Sequence, residues 1–163
     1  MIDPAKLRTL AERGANPRVQ KAVFWLAAAK LDNTDPAGVA EEAARLAGYT
    51  GNAASMTVDA LTRNLSIAER LGCLDNAGLE EMRRGHSPTI KSGPYRGDEL
   101  SVDHIIPRSV CYELDNVIAN LELMPLRMNM AKSNKVGERQ RDVAAKLFKA
   151  GLLSARGYET VVR

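Results

Sequence analysis

Apolar residues recur at helical spacing through the first half of the chain. Val19, Ala22, Val23, Leu26 and Ala27 share one face of a helix opened by Asn16-Pro17, a capping residue followed by a first-turn proline. Asp35-Pro36 repeats that start signal; Val39, Ala40, Ala43, Leu46 and Ala47 follow as a stripe, and Gly48 is a natural stop. A third helix is predicted from about Thr57, with Val58, Leu61, Leu65, Ala68 and Leu71 on one side and Gly72 at its end. A short fourth is predicted over Ala77 to Arg84.

The texture then changes. Gly85 to Asp98 is rich in Gly, Pro, Ser and basic residues and reads as a loop with one short strand at Thr89-Ile90. Leu100 to Ile106 alternates and ends in a proline, which predicts a short strand. Pro107 to Asn116 carries turn signals, and Ala119 to Met124 predicts a second strand. Pro125 can open a helix bearing Asn129 and Lys132. A last amphipathic helix is predicted from about Glu138 to Ala150, with Val143, Leu147 and Phe148 inward and Gly151 as its stop. The organisation is a helical region over 1–84 followed by a mixed region over 85–163.

Composition sharpens this outline. The chain has 163 residues, 45% hydrophobic and 26% charged, which is ordinary for one globular domain and excludes collagen-like and low-complexity classes. No run approaches the ~18–20 apolar residues that a membrane-spanning helix needs. Met1 to Ala11 carries Asp3, Lys6 and Arg8 with no apolar stretch behind them, unlike a signal peptide, so a soluble, cytoplasmic protein is expected. Cys73 and Cys111 stand far apart without a second ligand at metal spacing, which predicts buried thiols rather than a zinc site or a disulfide.

Charge is unevenly distributed. Met1 to Met82 holds nine basic and eleven acidic residues, whereas Arg83 to Arg163 holds fourteen basic and nine acidic. The positive excess therefore lies in the second half, as expected where a polyanion docks. Lys132, Lys135, Arg139, Arg141, Lys146 and Lys149 can track a phosphate backbone, or form a solvated face with Glu138 and Asp142 interspersed. In the first half, the second and third helices can form a helix-turn-helix whose reading helix carries Arg63, Asn64 and Arg70; the alternative is a small bundle that buttresses the second half of the chain. His86, in a Gly-His-Ser-Pro loop, is either a second site residue or, more simply, an exposed loop histidine.

The chemistry concentrates in Val102-Asp103-His104-Ile105-Ile106-Pro107, Asn120-Leu121-Glu122-Leu123-Met124 and Asn129-Met130-Ala131-Lys132. Neighbours on a strand leave opposite faces, so Asp103 and His104 reach one centre only if the strand kinks, as the following proline favours. Asp103 offers a hard oxygen to a cation such as Mg²⁺, and neutral His104 can take a proton from water near pH 7. Asn129 can add a neutral carbonyl oxygen, leaving an ion more of its charge for a developing pentacovalent phosphate. Singly, Asn120 is a turn or strand-capping residue and Asn129 a helix-start residue.

Together these three elements resemble the HNH endonuclease superfamily, the ββα-metal or His-Me finger nucleases. Asp103-His104-Ile105-Ile106-Pro107 matches the first-strand element, Asn120-Leu121 the opening of the second strand, and Asn129 with Lys132 the helix element. The helix residue is Asn rather than His, an H-N-N variant; the nuclease domain of RNA-guided CRISPR effectors ends the same way. The resemblance covers Gly93 to Gly137 and implies an α+β fold: a mostly helical N-terminal part, then a ββα-metal finger with flanking helices. It implies His104 as general base, Asp103 and Asn129 as ligands of one divalent cation (Mg²⁺ or Mn²⁺), and Asn120 as the residue that orients the His104 ring. It also implies Lys132 and Arg108 as phosphate contacts. Lys135 and Arg139 extend that nucleic-acid-binding set as the first of the two readings of the basic series. The implied activity is hydrolysis of phosphodiester bonds in DNA, with RNA open, by a protein with no membrane role. The alternative is a non-catalytic nucleic-acid-binding module that keeps the finger's shape. The paired cysteines that staple many members with zinc are absent, so no structural zinc is expected.

Overall fold

The computed structural model describes residues 3–13 and 17–163. It is α+β. Five helices come first: α1 (Pro4–Thr9), α2 (Pro17–Leu31), α3 (Pro36–Leu46), α4 (Gly51–Arg70) and α5 (Asn76–Arg83). A two-stranded antiparallel sheet follows, β1 (Leu100–His104) with β2 (Leu121–Pro125), and then α6 (Leu126–Ala131), α7 (Glu138–Lys149) and α8 (Ala155–Val162). Asn16, the predicted cap of α2, lies outside the described residues. Among the described residues no helix is long and apolar enough to cross a membrane.

The predicted stripes form the core. Val19, Ala22, Val23, Leu26 and Ala27 of α2 are buried, as are Leu61, Leu65 and Ala68 of α4. Asp35 caps α3, its carboxylate accepting from the Ala37 N–H at 3.2 Å. Gly72 ends the α4 region at φ +72°, where a Cβ would meet Ser92 Oγ at 2.8 Å; this lets residues 91 and 92 donate to the Leu71 carbonyl. Cys73 and Cys111 are buried free thiols, and burial raises the Cys73 pKa to about 11.

Several boundaries move for physical reasons. α4 begins at Gly51 rather than near Thr57, because Ala53 extends its buried face by one turn below Thr57 and Ala60. β1 stops at His104, two residues short of Ile106. β2 begins at Leu121 because Ile118–Asn120 form a 3-10 turn. Thr89 makes a single bridge to Glu99. Phe148, expected inward, is 40% exposed and stacks on Tyr158 of α8, a helix with no sequence expectation, at 5.0 Å between centroids.

The sheet rests on α4. Leu121 and Leu123 enter the same hydrophobic cluster as Leu26, Leu61 and Leu65, together with Leu100 and Ile118, so residues on both sides of Arg84 share one core. Asn64 makes the polar join: its Nδ2 donates to the Leu121 carbonyl at 3.1 Å and its Oδ1 accepts from the Leu123 N–H at 2.9 Å. Arg63 donates to the same Leu121 carbonyl at 3.2 Å, and burial lowers its pKa while Glu122 opposes that shift. The helix-turn-helix expectation is thereby corrected. Only Ala47 to Thr50 separate α3 and α4, close to that motif's turn. But Asn64 is 1% exposed and Arg63 is committed to β2; only Arg70 remains exposed. The face that would read DNA is the face that holds the sheet.

Asn64→Ala orphans the Leu123 N–H and leaves the Leu121 carbonyl to Arg63 alone. At about 1–3 kcal/mol for one unsatisfied buried group, urea unfolding should lose about 1–3 kcal/mol of stability. A loss below about 1 kcal/mol would show that the sheet docks by apolar contact alone.

Candidate active site

The site lies at the far end of β1, where the chain leaves the sheet. The antiparallel register pairs Asp103 with Glu122 and His104 with Leu121. Beyond that point ordinary strand pairing ends and the Asn120 side chain takes it over. Its Oδ1 accepts from the Ile106 N–H at 2.9 Å, and its Nδ2 donates to the Ile106 carbonyl at 3.1 Å and to the Leu114 carbonyl at 3.4 Å. The Asn120 backbone carbonyl accepts from Ile105 N–H at 2.9 Å. Asn120 is fully buried and clasps both ends of the loop that runs from Ile105 to Ala119.

Asn120 therefore departs from the role implied for it. Its carboxamide bonds the peptide of Ile106 and not the imidazole, because both of its polar ends are consumed in extending the ladder. It acts on His104 only by fixing the chain that follows it. The imidazole bonds instead to the loop: His104 Nε2 lies 2.8 Å from the Asp115 carbonyl oxygen and 3.0 Å from Asp115 Oδ1. Asp115 escapes sequence reasoning because Asp115-Asn116 reads as an ordinary turn pair. No local spacing signals that a loop residue eleven positions on folds back on the strand end.

The kink expected after β1 brings neighbours to one cavity. Asp103, His104, Arg108, Asn129 and Lys132 all line an opening of about 660 Å³, together with Tyr112 and residues 133 and 134. Asp103 is 5% exposed and takes the Lys132 ammonium on Oδ2 at 2.6 Å. Lys132 also donates to the His104 carbonyl at 2.8 Å. It sits one residue beyond α6, with extended backbone, rather than on the helix as expected. α6 is anchored by Asp98, whose Oδ2 accepts from the Arg127 N–H at 2.9 Å; that bond, with a second from the Glu99 N–H, keeps the Asp98 carboxyl below its ordinary pKa.

Asn129 Nδ2 donates to Ser101 Oγ at 3.1 Å and to the Val102 carbonyl at 3.2 Å. The side-chain nitrogen is thus committed to β1, and its oxygen takes no protein donor among the described residues. Asp103 Oδ1 is in the same position. One carboxylate oxygen and one amide oxygen are hard donors that fit Mg²⁺ or Mn²⁺ better than a soft ion. Among the described residues no three His, Cys, Asp or Glu side chains group as a ligand set.

The remaining basic residues separate. Arg108 is 60% exposed, lies 5.1 Å over the Tyr112 ring and has its Nε 3.6 Å from Asp115 Oδ1. Lys135 is exposed. Arg139 is bonded to Glu122 at 2.7 Å, a carboxylate that also faces Arg63 at 3.6 Å, so α7 spends this charge on the sheet. His86 stands outside the cavity, 3.3 Å from Glu81. A second, apolar groove of about 930 Å³ between α1, α2 and α3 holds none of the predicted site residues.

Asn120→Ala removes the clasp and leaves the Ile106 peptide unsatisfied. Native-state hydrogen exchange at Ile105 and Ile106 should accelerate by about 30- to 1,000-fold, as the loop opens about 2–4 kcal/mol more easily. Unchanged protection there would assign the loop's order to its buried apolar residues.

No family model, curated protein or solved structure matches this chain.

Proposed function

We propose that the protein is a metal-dependent endonuclease of the HNH type that hydrolyses phosphodiester bonds in DNA. One observation carries the proposal: a proton acceptor, two hard oxygen donors and two cationic side chains from β1, the loop and the α6 end line one open cavity. The ββα-metal finger corresponds to β1, β2 and α6, with α4 as its support.

His104 takes a proton from the attacking water. The new P–O bond forms as the bond to the leaving oxygen breaks, and that oxygen recovers a proton from solvent. Asp103 Oδ1 and Asn129 Oδ1 would hold the divalent cation, which supplies charge stabilisation to the phosphorane-like transition state when bound. Arg108, exposed and at the rim, contacts a substrate phosphate. Lys132 steadies Asp103 and the turn after β1, and Lys135 contacts the flanking backbone.

A second reading has an observation of its own. Lys132 at 2.6 Å already satisfies one Asp103 oxygen, an arrangement equally suited to a binding module that needs no cation. Incubating supercoiled plasmid with the protein and Mg²⁺, Mn²⁺ or EDTA separates the two. Cleavage with metal and none in EDTA is expected, and binding without nicking under any metal would favour the module.

His104→Ala should lower the cleavage rate by about 10²–10⁴, the usual worth of a positioned acid or base. Asn129→Ala should retain cleavage but shift half-maximal activity to higher Mn²⁺. If the His104 variant cuts at the parent rate, water is activated elsewhere; if the Asn129 variant titrates like the parent, the ion has other ligands.

Salt dependence tests the basic residues individually. Binding should fall linearly in log–log form with a slope near −0.9 for each phosphate neutralised. Lys135→Ala should flatten it by about one phosphate, whereas Arg139→Ala, already paired with Glu122, should leave it nearly unchanged. Equal effects would mean that Arg139 gives up Glu122 for the nucleic acid.

A further inference from the structure

The His104 ring is held by a single residue, twice. Nε2 lies 2.8 Å from the Asp115 carbonyl oxygen and 3.0 Å from its carboxylate Oδ1. Neither oxygen can donate a hydrogen, so two favourable contacts on one ring nitrogen require that nitrogen to carry the proton. In a neutral imidazole the other nitrogen then holds the lone pair. The carbonyl alone would allow the ring to swing about one bond. The carboxylate supplies a second anchor and a negative charge on the side away from the lone pair.

Asp115 is in turn fixed. Arg108 Nε stands 3.6 Å from the same Oδ1, and the Arg108 guanidinium is stacked over Tyr112 of the same loop. The preceding residue, Leu114, is buried and its carbonyl accepts from the Asn120 clasp. The backbone of Asp115 is therefore placed by a group other than His104, and its carboxylate faces the Arg108 guanidinium.

We infer that Asp115 is a positioning residue that fixes His104 as the Nε2–H tautomer and makes Nδ1 the atom that accepts the proton from water. Its catalytic consequence rests on His104 acting as the base; the tautomer does not. When Nδ1 takes that proton, the imidazolium keeps its Nε2–H on Asp115, and the carboxylate faces the new positive charge. Solvent removes the Nδ1 proton after the bond to the leaving oxygen has broken.

The chain has two histidines, so ¹⁵N-histidine labelling gives two imidazoles, and His86→Ala leaves His104 alone. Spectra are taken on the alkaline plateau, at a pH above which neither ring nitrogen shifts further. Nδ1 should resonate at the unprotonated position and Nε2 at the protonated one. Asp115→Asn, which keeps an oxygen acceptor, should preserve that pattern, and Asp115→Ala, which keeps only the backbone carbonyl, should move both nitrogens part of the way toward averaged values. A proton on Nδ1 in the parent overturns the inference. So does an Asp115→Ala spectrum identical to the parent, or an averaged spectrum in Asp115→Asn, the variant that decides if the alanine form fails to fold. In cleavage, Asp115→Ala should lower kcat by about 10–100-fold at constant KM, with most of it restored in Asp115→Asn. If the parent cuts no nucleic acid with any metal, the nuclease proposal fails while the nitrogen spectra still decide the tautomer.

Discussion

Two strands alone do not make a stable sheet in water, and among the described residues β1 and β2 have no third strand beside them. Everything at the site hangs on how that pair is held to α4. Leu121 and Leu123 supply the buried area, and Asn64 bonds the outward-facing β2 groups, sharing the Leu121 carbonyl with Arg63 and alone satisfying the Leu123 N–H. A buried asparagine with both ends bonded fixes register as well as position, since a slip of one residue would present the wrong peptide groups to it. The helical first half thus serves the second half as a floor.

A second asparagine repeats the device one layer out. Asn120 continues the strand ladder with a side chain after the backbone has turned away, and so defines where β1 ends and the loop starts. That termination turns His104 toward the cavity that Asp103 also lines, and it brings the loop back so that Asp115 meets the ring. Positioning is delegated outward: α4 holds β2, Asn120 on the turn before β2 holds the loop, and the loop holds the imidazole.

Charge is spent in the same layered way. Arg63 and Arg139 both address Glu122, which stabilises the sheet's attachment and removes two cations from the surface available to a polyanion. Lys132 is committed to Asp103 and the His104 carbonyl. The basic excess of the second half is therefore a poor guide to which residues meet a ligand. Arg108 and Lys135, the less conspicuous pair, remain the accessible ones.

The sequence by itself determined the elements whose signals are local. Helical stripes, the Asp-Pro start of α3 and the strand-loop-strand-helix order after Leu100 come from periodicity and capping, which act within a few residues. The grouping of Asp103, His104, Asn129 and Lys132 was legible too, because short connections leave β1, β2 and α6 few ways to pack. Only the tertiary structure decided the rest. Asn64 looks like any polar helix residue until a strand lies against it, and Asn120 looks like a ring partner until the loop supplies a nearer peptide. Asp115 is eleven positions from His104 and joined to it by nothing except the loop's closure. Hydrogen-bond partners are settled by which groups burial leaves unsatisfied, and that is known only once the chain has closed.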